Sequence, residues 1–161
     1  MELIHEASRP GQPETLDQFI VSHPEYFFEH PVESGLVNPN NLLIGTNSVY
    51  ADLGGMVVVE NFDGRPSLDY QGLSYSVYDR KAQCWKQTWV DSEGSYLDFA
   101  GSFENGVMEL RRIGEVDGAP ALFRMRWENI EPNSFDWSWQ RSGDDGETWE
   151  SLWEIEYSRV L

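Results

Sequence analysis

The 161 residues carry 11 lysines and arginines against 28 aspartates and glutamates, a formal charge of −17, with 40% apolar and 14% aromatic content. That is the length of one domain, with enough apolar material for a real core rather than a disordered acidic tail. The charge argues against a nucleic-acid partner, whose phosphates call for Lys and Arg, and against an anionic membrane surface. No run approaches the ~18 apolar residues of a membrane span. The opening MELIHEAS lacks the basic start and apolar stretch of a signal peptide. Cys84 stands alone, so no disulfide framework is expected and a reducing, cytoplasmic setting is the default.

In chain order, residues 1–40 come first and differ from the rest. They hold five of the eight prolines, at 10, 13, 24, 31 and 39. Thr15-Leu-Asp-Gln18 reads as a capping box ahead of Phe19, Ile20 and Val21, predicting a short helix over 15–22. Irregular chain is expected from there through Pro24, Pro31 and Pro39, as a segment that covers something.

From residue 41 the pattern changes to long alternating stretches, predicting a barrel over 41–161. Turn signals fall at Asp63-Gly64, Asp79-Arg80-Lys81, Ser92-Glu93-Gly94, Asn105-Gly106, Asp117-Gly118, Pro132-Asn133 and Gly143–Gly146. No helical period intervenes, so consecutive antiparallel hairpins are expected rather than crossovers. The strands exceed the usual ~5–6 residues, which favours a closed up-and-down barrel over a small sandwich.

Alternation predicts the inward faces: Trp85, Gln87, Trp89 and Asp91; then Phe123, Met125, Trp127 and Asn129; then Phe135, Trp137, Trp139 and Arg141; then Trp149, Ser151, Trp153, Ile155, Tyr157 and Arg159. Charge on the opposite faces marks half-buried strands. All seven tryptophans follow residue 84, while all three histidines lie at or before residue 30. The indoles therefore point into the second half of the barrel.

Several short patterns carry a functional reading beside a plainer one. Ser142-Gly-Asp144-Asp-Gly146-Glu-Thr148-Trp149 matches the Asp-box of sialidase-type propellers, but one copy cannot build a propeller and reads as a stabilised hairpin. Asp144, Asp145 and Glu147, or Asp91 and Glu93, suit solvated turns, and the spacing of a calcium loop is absent. His23 and His30 have no recognised metal spacing, each is followed by proline, and no metal is expected. Cys84 lies opposite the tryptophans without the setting of a nucleophile. No phosphate-binding or dinucleotide fingerprint occurs, so no cofactor is expected.

Ser76-Val-Tyr-Asp79, Trp85-Lys-Gln-Thr-Trp-Val-Asp91, Gly101-Ser-Phe-Glu-Asn-Gly106, Phe123-Arg-Met-Arg-Trp127 and Ser142–Trp149 through Arg159 fall in one order. Over about residues 54–161 the chain resembles a widespread lipocalin-like family of small uncharacterised proteins. The resemblance implies an all-β calycin-type antiparallel barrel of roughly eight to ten strands with a short N-terminal helix. It brings no catalytic residue. Such barrels usually open with a Gly-x-Trp element, where this chain has Gly45-Thr-Asn47. A haem-binding relative class uses a late-strand His, which this chain lacks after residue 30.

The expected function is binding of a small apolar or aromatic molecule in an aromatic-lined cavity. Trp85, Trp89, Trp127, Trp137, Trp139 and Trp153 would be walls, with Gln87, Asn129, Tyr157 and Arg159 as polar anchors. One alternative is a cofactor-independent isomerase, cyclase or lyase using the same cavity, with Tyr75, Tyr157, Asp91 or Arg159 as acid, base or electrostatic group. The other is a filled barrel acting as an interaction module, with a homodimer formed through outward Leu97, Phe99 and Phe103.

Overall fold

The computed structural model describes residues 25–31, 42–65 and 67–159, with side chains from residue 45 onward. Ten strands follow one another: β1 (Glu25–Pro31), β2 (Leu42–Asp52), β3 (Val57–Asp63), β4 (Gln71–Asp79), β5 (Cys84–Asp91), β6 (Tyr96–Glu104), β7 (Val107–Val116), β8 (Ala119–Glu131), β9 (Ser134–Ser142) and β10 (Glu150–Arg159). β2 to β10 pair in sequence order as an antiparallel curled sheet of nine strands. β1 pairs with both of its edges, β2 and β10, and closes the ring.

The helix expected over 15–22 lies outside the described residues. The irregular chain expected between Pro24 and Pro31 is instead β1. The prolines misled here. Pro31 sits at the last position of the strand, where a missing N–H is easily tolerated.

Every expected turn joins two strands. Asn105-Gly106 has φ of 52° and 83°, and Asp117-Gly118 has 52° and 79°. Two consecutive left-handed residues make the tight turn whose twist suits a hairpin. The turn between β2 and β3 went unread, although Gly54-Gly55, at φ 68° and 84°, marks it.

Two register shifts correct the expected faces. In β8 the ladder slips between Glu128 and Glu131, and Asn129 adopts φ 50°. Asn129 is therefore exposed and donates to Asp136 at 2.6 Å on the outer face, rather than lining the interior. In β10 the ladder slips between Ser151 and Trp153. A bulge changes which face every residue before it serves. Trp153 remains inward, but Trp149 lies outside, with the Arg124 guanidinium 3.9 Å from its ring centroid.

The expected outward patch of Leu97, Phe99 and Phe103 is also corrected. Phe99 is buried, and Leu97 and Phe103 pack against the same interior cluster as Trp85, Met108, Leu110 and Met125. The alternation of small, acidic and aromatic side chains along β6 suits either face.

Close approach explains two inward glycines. A Cβ on Gly72 would lie 1.9 Å from the Trp89 ring, and one on Gly101 would lie 1.8 Å from the Glu109 carbonyl oxygen. The first leaves room for an indole to lie flat across β4. The second lets β6 and β7 curl together.

Candidate functional site

Eight strands give a barrel just wide enough for its own side chains, and diameter grows with strand number. Ten strands therefore enclose a wider interior. Here the inner surface divides into two walls.

The first wall, from β5 to β10, is aromatic. Phe99 meets Trp139 edge-on at 5.6 Å between centroids, and Phe123 stacks on Trp139 at 5.3 Å. Trp137 meets Trp127 at 6.4 Å and Trp153 at 5.8 Å. Trp153 also reaches across to Phe62 of β3 at 5.6 Å. Trp85 is 2% exposed. Trp89, Trp127, Trp137, Trp139 and Trp153 pack against the interior clusters yet remain half-buried.

The second wall, on β2 to β5, is polar and centres on Glu60. Glu60 alternates with Val58 and Phe62 along β3, so the fold turns it inward with two core residues. Asn47 Nδ2 donates to Glu60 Oε1 at 2.6 Å, and Ser74 Oγ donates to Glu60 Oε2 at 2.7 Å. Because the Ser74 proton goes to Glu60, Ser74 Oγ accepts from Gln87 Nε2 at 3.3 Å, which also donates to Ser76 Oγ at 3.0 Å. That chain fixes the orientation of the Gln87 amide. Asn47 Nδ2 lies 3.4 Å from the Tyr157 hydroxyl, bringing β10 into the group.

Burial pushes the Glu60 carboxyl above the ordinary glutamate range, and the hydrogen bonds from Ser74 and Asn47 pull it part of the way back. Burial likewise raises the Tyr157 phenol, with the Glu60 charge adding to it and Asn47 opposing. Among the described residues three polar atoms at this wall and its border are buried without a hydrogen-bond partner: Asn47 Oδ1, Gln87 Oε1 and Trp85 Nε1. Buried polar groups are rarely left so, and each such atom costs about 1–3 kcal/mol. Two of the three are acceptors.

The anticipated positions thus separate. Trp85, Gln87, Trp89, Trp127, Trp137, Trp139, Trp153 and Tyr157 lie on the inner surface. Asn129 does not. Arg159 is half-buried at the end of β10, its backbone N–H bonded to the Asn133 carbonyl at 2.9 Å. Tyr75 is 48% exposed, on the outer face opposite Val59 and Thr88. It cannot reach an interior ligand.

Asp91 sits at the lip of β5 and is committed to structure. Its Oδ2 accepts from Tyr70 at 2.9 Å and Trp89 Nε1 at 3.0 Å, and its Oδ1 from the backbone of Glu93 and Ser95. Burial opposes its charge, but hydrogen bonds from Ser95, Trp89 and Tyr70 prevail and hold the carboxyl at about 2. A carboxylate so held is a poor general acid or base near neutrality.

Glu60, Asn47, Ser74 and Ser76 were missed in the sequence. Glu60 was legible as an acid spaced two residues from Val58 and from Phe62. Asn47 stands where the resembling family places a tryptophan. Ser74 and Ser76 flank Tyr75 with no distinguishing pattern.

The Asp-box is the local hairpin device it resembled. Ser142 Oγ donates to Asp144 Oδ1 at 2.7 Å, Thr148 Oγ1 donates to Asp144 Oδ2 at 2.6 Å, and Trp149 Nε1 caps the Gly146 carbonyl at 3.1 Å. His23 lies outside the described residues, and His30 falls in β1. Cys84 is a free, half-buried thiol at the start of β5. Among the described residues no group of three or more His, Cys, Asp or Glu could hold a metal ion, and no helix is long and apolar enough to cross a membrane. A depression of about 250 Å³ lies on the outer face of β8–β10 among Glu128, Asp136, Ser138, Gln140, Glu154 and Glu156.

No family model matches the chain. A stretch of 29 residues is 59% identical to part of a protein of Bacillus subtilis (strain 168) described as an uncharacterized ATP-dependent helicase, YprA. The stretch is 18% of this chain and 4% of that protein, too little to assign a family.

Proposed function

We propose that this protein is a lipocalin-like, calycin-type barrel that binds a small, largely apolar or aromatic molecule in its interior. One observation carries the reading: half-buried inward indoles stand beside buried amide oxygens that have no partner. Apolar walls with a few oriented polar groups are the usual make-up of a small-molecule pocket. Trp85, Trp89, Trp127, Trp137, Trp139 and Trp153 supply the walls; Gln87 and Tyr157, now with Glu60 and Asn47, supply the orientation. A reducing, cytoplasmic setting suits the lone Cys84.

The test is titration with a hydrophobic dye such as 1-anilinonaphthalene-8-sulfonate and a panel of small aromatics, read by tryptophan emission. Saturable quenching with 1:1 stoichiometry is expected, weakened at least fivefold by Trp89→Ala. A flat response to every probe in the folded protein means a filled barrel and overturns the reading.

A second reading, a cofactor-independent enzyme, draws on the raised proton affinities of Glu60 and Tyr157, joined through Asn47. A carboxyl whose proton affinity burial raises is better suited than an ordinary glutamate to deliver or accept a proton inside a water-poor cavity. Should a turnover assay be found, Glu60→Gln would lower kcat at least 100-fold while leaving KM within threefold. A change in KM alone leaves the protein a binder.

A further inference from the structure

Resting on the binding reading, the polar wall also says which polar group the ligand carries. Both Glu60 oxygens accept hydrogen bonds, and the N–H groups of Asn47 and Gln87 are already directed at Glu60, Tyr157, Ser74 and Ser76. Left without a partner among the described residues are Asn47 Oδ1 and Gln87 Oε1, on residues 3% and 5% exposed. The groups that draw the Glu60 carboxyl back toward ionisation are the neutral Ser74 and Asn47, not a cation. Among the described residues the wall is thus rich in acceptors.

We propose that Glu60, Asn47 and Gln87 form a subsite for a protonated amine borne on a flat apolar body, an arylalkylammonium ligand. An ammonium has three N–H donors and no acceptor, the complement of a carboxylate and two amide oxygens. Its charge would favour the ionised form of Glu60, which burial opposes, through charge-assisted hydrogen bonds. The aromatic body would lie against Trp89, the register partner of Ser74, and Trp85, two positions before Gln87 on β5. Indole faces add attraction for a cation. An anionic ligand of the same shape would meet the Glu60 carboxyl and two amide oxygens.

Three probes of one shape test this: phenethylamine, neutral propylbenzene and 3-phenylpropionate, titrated at pH 7 into the full chain and followed by tryptophan emission and calorimetry. Phenethylammonium is expected to bind at least tenfold more tightly than 3-phenylpropionate. Glu60→Gln should abolish most of that preference while propylbenzene affinity stays within twofold. Gln87→Met, which removes one acceptor without touching the carboxyl, should weaken phenethylammonium severalfold. Glu128→Gln, on the outer face, controls for the net charge of −17 and should leave the preference intact. Equal affinity for the three probes, or a preference that survives Glu60→Gln, overturns the amine subsite but leaves the barrel a binder. If no probe and no dye binds, the binding reading falls and the subsite with it.

Discussion

The two inner walls solve the same problem in opposite ways. Between β5 and β10 the wide interior is occupied by rings, which bury large areas through few rotatable bonds and settle edge to face at 5.6–6.4 Å. Between β2 and β5 short polar side chains arranged around the Glu60 carboxyl stand among Val49, Val58 and Phe62, and two amide oxygens there have no partner among the described residues. The aromatic wall is where the barrel holds itself together. The polar wall is where it is incomplete, and a ligand that brings donors and an aromatic body would complete both.

The largest expected effect comes from breaking the aromatic wall. Trp85→Ala, at a site 2% exposed, should cost about 3–5 kcal/mol in urea unfolding. Gly101→Ala should cost about 1–3 kcal/mol or more, because its Cβ would meet backbone 1.8 Å away that cannot rotate aside.

The polar wall should answer differently. Ser74→Ala removes a donor from Glu60 and should cost about 1–3 kcal/mol. Glu60→Gln should instead stabilise the protein as pH rises. Since the folded-state proton affinity of Glu60 exceeds its unfolded value near 4.5, the wild type loses stability as pH climbs through and above that value. The melting-temperature gap between Glu60→Gln and wild type should therefore widen from pH 4 to pH 8. A constant gap would mean that Glu60 is solvated.

Asp91 has the opposite sign. Its carboxyl is held at about 2 against an ordinary 3.8, so its contribution is complete above about pH 4 and disappears as pH falls through 2. Asp91→Asn should lose stability at pH 7 but differ little from wild type at pH 2, in thermal melts. The smallest effect is outside the barrel. Arg124→Met loses the stack on Trp149 and a pairing with Glu109 at 3.1 Å, worth about 0.5–1 kcal/mol, and should leave ligand titrations unchanged.

Much of this fold is legible in the chain because strand periodicity and turn chemistry are local. Asn105-Gly106 and Asp117-Gly118 announce their turns through the only residues that sit easily at positive φ, and Trp85, Gln87 and Trp89 announce their face through strict alternation. The indoles of the candidate site were readable for the same reason. Asn129 and Trp149 were not, since each precedes or enters a bulge, and a one-residue slip leaves no mark on the alternation that it reverses.

What the sequence determined by itself is the all-β hairpin order and the existence of an aromatic inner surface, both set by neighbours within a few residues. Tertiary structure alone decided what faces that surface. Residues Asn47, Glu60, Ser74, Gln87 and Tyr157 span 110 positions, and only the pairing of β2 through β5 and the ring closed by β1 bring them within hydrogen-bond reach. An acid among 28 is unremarkable in a list; the same acid turned inward on β3, bonded to Asn47 and Ser74, is the centre of a buried polar group.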